Sequence, residues 1–256
     1  MDVQVLISSC NVKKLQDLDL KKKNIKKAVI VNQFMPKYSV EKKDDYIMYS
    51  YNEKGLSKSR NRLIENSTSD IVIISDDDIS FVKDYEEIVS KAYEENDADI
   101  IIFNMKKGNN IVGKKKRITY NKLSVLSVCS CQITFKRNSI LEKNIKFDEN
   151  FGIGSTFISG EENIFLKTAL DNNLKIIHIP ITINSHPDEN TTGEIWTHEM
   201  IKSKGALMYR LYSKTYLLFL LYFTITKYSQ YKENFGLLDF ISIFDEGKNE
   251  YKKINE

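Results

Sequence analysis

The chain has 256 residues, 41% of them hydrophobic, and a formal net charge of +3. That length and apolar content suit an ordinary globular core, in one large α/β domain or two small ones. Basic runs occur at Lys21–Lys23, Lys26–Lys27 and Lys114–Arg117. Such runs are common on solvated helix faces, and no Gly-rich or aromatic-interleaved basic motif marks a nucleic-acid reader.

Three cysteines, Cys10, Cys129 and Cys131, are odd in number and lack the paired spacing of a structural zinc site, which fits a reducing, cytosolic setting. The opening residues "MDVQVLISSCN" have neither the charged nor the long apolar region of a secretion signal, so export is not expected.

In chain order, short apolar runs alternate with helical patterns, the signature of a largely parallel α/β sheet. Strands are predicted at Val3–Ser8, Ala28–Phe34, Tyr46–Tyr51, Ile71–Ser75 and Asp99–Met105. Helices are predicted over Lys58–Asn66 and around Tyr85, Ile88, Val89, Ala92 and Tyr93, which recur at helical spacing. Leu123–Phe135, "LSVLSVCSCQITF", reads as a strand, and "NSILEKN" as a short helix. A Gly/Ser-rich loop, "FGIGSTFISG", then opens a helix near Glu161. A last strand, "KIIHIP", ends at Pro180, and the polar stretch "NSHPDENTTGEI" reads as a loop. "TYLLFLLYFTIT" (Thr215–Thr226) is the most apolar segment, but its length falls short of the roughly 20 residues that cross a bilayer. The charged tail after Glu246 reads as disordered.

The stretch "SDIVIISDDDISF" drives a buried strand into three consecutive carboxylates, Asp76, Asp77 and Asp78. In open α/β sheets ligands bind beyond the carboxyl ends of the strands. Three adjacent anions repel unless a cation or hydrogen-bond donors offset them. Oxygen ligands of this kind suit Mg2+ or Mn2+, which accept substrate phosphate oxygens as further ligands. The same residues would also serve as a solvated acidic turn capping the next helix.

"GLSKSRNRLIENSTSDIVIISDDDISF" resembles the region of the family-two glycosyltransferases, enzymes of the GT-A fold, that reads Gly, Arg-Asn, short helix, strand, Asp-x-Asp. The matching residues are Gly55, Arg60, Asn61 and Asp76 to Asp78. A second match is "FDENFGIGSTFISGEENIFL", whose Glu161-Glu162 stands where family members carry an acidic pair at a helix start. Acids in a first helical turn are also favourable for the helix alone. Together the motifs cover roughly residues 3 to 190 and imply a mixed, mainly parallel GT-A sheet flanked by helices. A C-terminal helical extension follows, dividing the chain into a catalytic domain, 1–200, and an extension, 201–256.

The resemblance implies Ser8, Asn11, Asn32, Gln33, Arg60, Asp76 and Asp77 as the donor set, with Asp78, Asp76 and His186 holding Mn2+ or Mg2+. Many relatives carry an aspartate where this chain has Asn32-Gln33, and an amide can pair with a uracil edge as donor and acceptor together. Glu162 aligns with the catalytic base, Glu161 would orient the acceptor, and the two roles could be exchanged. The pair is Glu-Glu rather than the usual Glu-Asp, one methylene longer at the base. His178, inside an apolar run, reads as a core histidine. Trp196 reads as a wall for an acceptor sugar or as a packing residue.

The implied activity is inverting transfer of a sugar from a nucleotide sugar, with uridine diphosphate favoured, to a glycan or lipid-linked acceptor of a bacterial surface polysaccharide. The rivals are a metal-dependent nucleotidyltransferase and a non-catalytic sugar-nucleotide or glycan-binding module. The lack of a Gly-rich phosphate loop before the aspartates counts against the former. The basic and apolar stretch Lys202–Tyr231 fits a helix on the inner membrane face, or one packed on the core or a dimer partner.

Overall fold

The structure is a computed structural model that describes residues 1–187 and 196–255. One sheet organises the first three quarters of the chain. Its strands are β1 (Val3–Cys10), β2 (Ala28–Gln33), β3 (Ser39–Lys43), β4 (Tyr46–Ser50), β5 (Ile71–Asp76) and β6 (Ser80–Phe81). They continue with β7 (Ile100–Lys107), β8 (Asn110–Val112), β9 (Ile118–Thr119), β10 (Ile133–Lys136) and β11 (Ile176–His186). The order is β3-β4-β2-β1-β5-β10-β7-β11-β6, with β8 on β7 and β9 on β11. The long strands β4, β2, β1, β5, β7 and β11 run one way, and β10 is inserted antiparallel between β5 and β7.

The apolar runs are continuous because both faces of the sheet are covered. On one face Val5, Ile7, Ile71, Ile73, Ile101 and Phe103 meet α2 (Tyr85–Glu94). On the other, Leu6, Val72, Ile74 and Ile102 meet α1 (Leu56–Asn66), α3 (Arg137–Glu142) and α4 (Glu161–Asp171). Each such Val, Leu or Ile is worth about 1.5–3 kcal/mol when buried, so these central strands carry the fold. The short edge strand β3, "SVEKK", carries three consecutive charges, Glu41, Lys42 and Lys43, that discourage edge-to-edge pairing.

The helical region comprises α5 (His198–Tyr212), α6 (Tyr216–Thr226), α7 (Tyr228–Tyr231) and α8 (Leu237–Asn255). The boundary expected at residue 200 therefore falls inside the first turn of α5. α5 crosses α8 at very close range: a Cβ on Gly205 would lie 1.8 Å from the Phe244 carbonyl oxygen, and one on Gly247 1.9 Å from that of Lys202. Among the described residues no helix is long and apolar enough to cross a membrane.

Three expectations are corrected. Leu123–Phe135 is not a strand: Ser124–Ser127 and Ser130–Gln132 form 3-10 turns, and only Ile133–Lys136 pairs in the sheet. The Asn121 side chain accepts from the backbone of Leu123 and Ser124, a local bond that competes with a ladder. The last strand passes through Pro180 to His186, because register shifts beside Pro180 and Ile181 absorb a residue that cannot donate. The charged tail is ordered as the end of α8, whose buried Phe240, Ile243, Phe244, Gly247 and Tyr251 follow helical spacing. Of the predicted polar loop, residues 188–195 lie outside the described residues.

Candidate active site

Parallel register brings the candidate residues to one edge. Ser8 lies opposite Asp76, and Cys10 opposite Gln33, so β1, β2 and β5 end together. Just beyond them is a cleft of about 210 Å3 lined by Ser8, Gln33, Asp76 and Asp77, with Phe34 and Ile153 beside it. Both apolar side chains are exposed there. The Gly-rich loop reaches this edge because the Leu56 amide donates to the Ile153 carbonyl at 2.9 Å, docking the loop on the start of α1.

The three aspartates turn to different partners, although burial and, beyond the opposing pull of His186, the charges of Asp76 and Asp77 still raise the Asp78 carboxyl above its ordinary value. Asp76 accepts from the buried Cys131 thiol at 3.4 Å and pairs with Arg60 at 3.5 Å. Asp77 accepts from the Ser9 hydroxyl, and its backbone carbonyl accepts from Lys23 Nζ at 2.5 Å. Asp78 turns outward, with Oδ2 3.3 Å from His186 Nε2. That meeting follows from the antiparallel pairing of β6 with Asn184 and Ser185 of β11, which lays His186 beside the turn after β5.

Arg60 links this cluster to the acidic pair. It is 1% exposed, and Nη1 donates to Glu161 Oε1 at 2.8 Å. Burial opposes its charge, and Glu161 and then Asp76 outweigh that penalty, keeping it a cation. Its planar fork suits two acids at once, and it also lies 5.5 Å from the centre of the Phe147 ring. A donor-binding Arg60 would need to reach the cleft; here its guanidinium is enclosed behind Asp76.

The acidic pair opens α4 after Gly160, whose φ of 106° and 2.7 Å clearance from Leu207 for any added Cβ admit only glycine without strain. Glu161 is buried against Arg60, whereas Glu162 is half-buried. Burial and then the adjacent Glu161 charge push Glu162 up to about 8, while Lys204 and Arg60 act in the opposite direction. A group of that affinity is poised to exchange a proton near neutral pH.

Asn32 does not present its amide to the cleft. It is fully buried, accepting from the Val12 amide at 3.0 Å and donating to the Val12 carbonyl at 2.8 Å, so it holds the turn after β1. Gln33 lines the cleft and donates to the Gly55 carbonyl at 3.1 Å. Asn11 sits in that turn with φ 55°. Trp196 both packs and lines a surface: its indole N–H donates to Gln230 at 2.8 Å, its ring contacts Phe240, and it borders a second cleft, of about 910 Å3. His178 is a core histidine, fully buried beside Asn104 and Lys116.

Sequence reasoning missed Ser9, Lys23 and Cys131 around the aspartates, and Lys204 near Glu162. Only the position of Ser9, next to Ser8 at a strand end, carried a signal.

Residues 21–165, more than half of the chain, match the sequence pattern of glycosyl transferase family 2. The chain belongs to that family. No curated protein matches it in sequence. Its fold is similar to that of S. aureus TarS 1-349 in complex with UDP-GlcNAc, with TM-score 0.66 and 12% identity over 98% of this chain and 80% of that one. The TarS 1-349 complex with UDP gives TM-score 0.64 and 13% identity, covering 99% and 92%. The family-two chain thus carries a GT-A fold, with a mainly parallel sheet flanked by helices and followed by a helical region.

Proposed function

We propose that this family-two transferase moves a sugar with inversion from a uridine diphosphate sugar to a glycan or lipid-linked acceptor of a bacterial surface polysaccharide, working on the cytoplasmic side. The observation that carries the reading is the buried Arg60 bridge, which ties the aspartate cluster at the donor cleft to the acidic pair at the start of α4. Such a bridge holds a leaving-group site and a base in fixed relation, the arrangement that displacement needs. Similarity to a fold seen with UDP and UDP-GlcNAc supports the choice of uridine.

On this reading Ser8, Gln33, Asp76 and Asp77 line the donor cleft, and Phe34 and Ile153 give the uracil ring apolar contact. Asp78 and His186 fit a divalent ion as a carboxylate and an imidazole that converge 3.3 Å apart in the half-exposed turn. Asp76, engaged by Arg60 and Cys131, is the less available ligand of the proposed set. Among the described residues no cluster of three or more acidic, histidine or cysteine ligands is formed, so substrate oxygens and water would complete the sphere. When bound, Mn2+ or Mg2+ supplies positive charge for the departing diphosphate.

Glu162, once ionised, accepts the proton of the acceptor hydroxyl as its oxygen bonds to the anomeric carbon and the carbon–oxygen bond to the diphosphate breaks. Glu161 is held by Arg60 and keeps the acceptor side of the site in register. The test is release of uridine diphosphate from a panel of its sugars with Mn2+ and candidate acceptors, with the product anomer read by nuclear magnetic resonance. Acceptor-dependent release with inversion, lost in Glu162→Gln, is the expected result. Release unchanged in that variant, or retention at the anomeric carbon, would overturn the assignment.

A further inference from the structure

α6 is an uncharged helix lying on the outside of the protein. Tyr216, Leu220 and Thr224, four residues apart, face inward, whereas Leu217, Leu218, Leu221, Tyr222 and Ile225 are 55–73% exposed. Soluble monomers seldom leave so many contiguous large apolar side chains in water, and a face of this kind marks a contact surface.

The charges that flank it in sequence favour one partner, and the carboxylate that meets its buried side, Asp245 on the Tyr216 hydroxyl, is paired with Lys248. From Ile201 to Lys232 the sequence contains no Asp or Glu, while Lys214 and Lys227 bracket α6 and Lys232 follows α7. A second copy meeting this face about a two-fold axis would bring those lysines against their own counterparts. An anionic lipid surface complements both the apolar face and its basic ends. At eleven residues α6 is too short to span a bilayer, so it would lie in the plane of the headgroups.

The helix also forms one wall of the 910 Å3 cleft. Phe219 and Phe223 of α6 line it together with Trp196, and Lys204 and Lys227 bring positive charge to the same space. At its inner side is Asn163, the residue after Glu162. We propose that the outer face of α6 docks on an anionic lipid surface, and that the adjoining cleft receives from it an acceptor whose apolar chain lies along the aromatic wall and whose phosphate lies by the two lysines. This rests on the glycosyl-transfer reading and narrows its acceptor to one with an apolar chain and a phosphate.

The test is co-sedimentation of the full chain with vesicles of phosphatidylcholine alone and of phosphatidylcholine mixed with phosphatidylglycerol, together with sizing and binding of uridine diphosphate to the same samples. The native chain should partition into the anionic vesicles at least roughly tenfold better than into the neutral ones, and the preference should fall as salt rises. Leu218→Glu with Leu221→Glu, both on the exposed face, should abolish partitioning while nucleotide binding and the thermal midpoint persist. Lys214→Ser with Lys227→Ser should remove the anionic preference. If that double glutamate variant unfolds, the lysine pair alone decides the outcome. Equal or no partitioning of the native chain into the two vesicles would overturn the proposal. So would a concentration-dependent dimer that the leucine variant dissociates with no effect on lipid. Loss of nucleotide binding in the native chain would instead strike the underlying transferase reading, because that measurement involves no lipid.

Discussion

The sheet region and the helical region break opposite rules of folding. In the first, a guanidinium and a carboxylate lie in the interior, Arg60 and Glu161 at 1% and 8% side-chain exposure. In the second, five large apolar side chains of α6 lie in water. Charge inside and oil outside are both unfavourable for an isolated chain, and departures of this kind from a locally consistent sequence are where functional sites are to be sought. The buried charges answer to a partner within the fold, the opposite acid or base. Among the described residues the exposed apolar face has no such partner.

The sharpest way to break this comparison is to remove the buried cation. Arg60→Ala strands Glu161 without its partner and should lower stability by about 3–5 kcal/mol, measured by urea unfolding, with transfer lost as well. Arg60→Lys, which keeps the charge but not the planar fork, should recover part of the stability and less of the activity.

Glu162→Gln comes next, with a fall in transfer of about 10²–10⁴-fold and an intact fold. The pH dependence follows from its raised affinity for a proton. Its folded value, about 8, lies above the ordinary carboxylate range, so the fold favours the protonated form. That contribution to stability is complete at low pH, below the unfolded value, and is lost as pH rises through the folded one. Activity runs the other way, rising through about pH 8 as the base ionises. Paired profiles of unfolding midpoint and kcat/KM for the native chain and Glu162→Gln would check both signs.

Gly205→Ala perturbs only the helical region. The new methyl gains about 1 kcal/mol in helix propensity. It collides with the Phe244 carbonyl, and overpacking costs typically about 1–3 kcal/mol, so a lower thermal midpoint with unchanged nucleotide binding is expected. The smallest effect belongs to Leu217→Ser on the outer face of α6, within about 0.5 kcal/mol of the native chain by thermal unfolding. A large loss there would mean that the face is packed against something within the protein, and the comparison would fail.

The central strands were legible because burial on both faces leaves an unmistakable apolar run, as at Ile71–Ile74 and Ile100–Phe103. Asp76 to Asp78 were legible because three adjacent carboxylates at the end of a buried strand repel one another unless something offsets them. The turns at Leu123–Gln132 were not legible, since alternating Ser and Val copies a half-buried strand while the bonds from Asn121 that shape the segment are local. α8 was hidden by its charges, which mask the spacing of Phe240, Phe244 and Tyr251. Residue type revealed that Asn32 and Arg60 do polar work, but not which way they face. Both turn inward because distant segments supply their partners: the Val12 backbone for one, Glu161 for the other. His186 meets Asp78 through a two-residue strand, a pairing too short to leave a pattern in sequence.

The central claim, a nucleotide-diphosphate site at the end of β5, is tested most directly by calorimetric binding of uridine diphosphate with and without Mn2+, on the native chain and on Asp78→Asn. The account predicts binding that requires the metal and is lost in the variant. Metal-independent binding of equal strength in both chains, or no binding of the nucleotide to either, would contradict it.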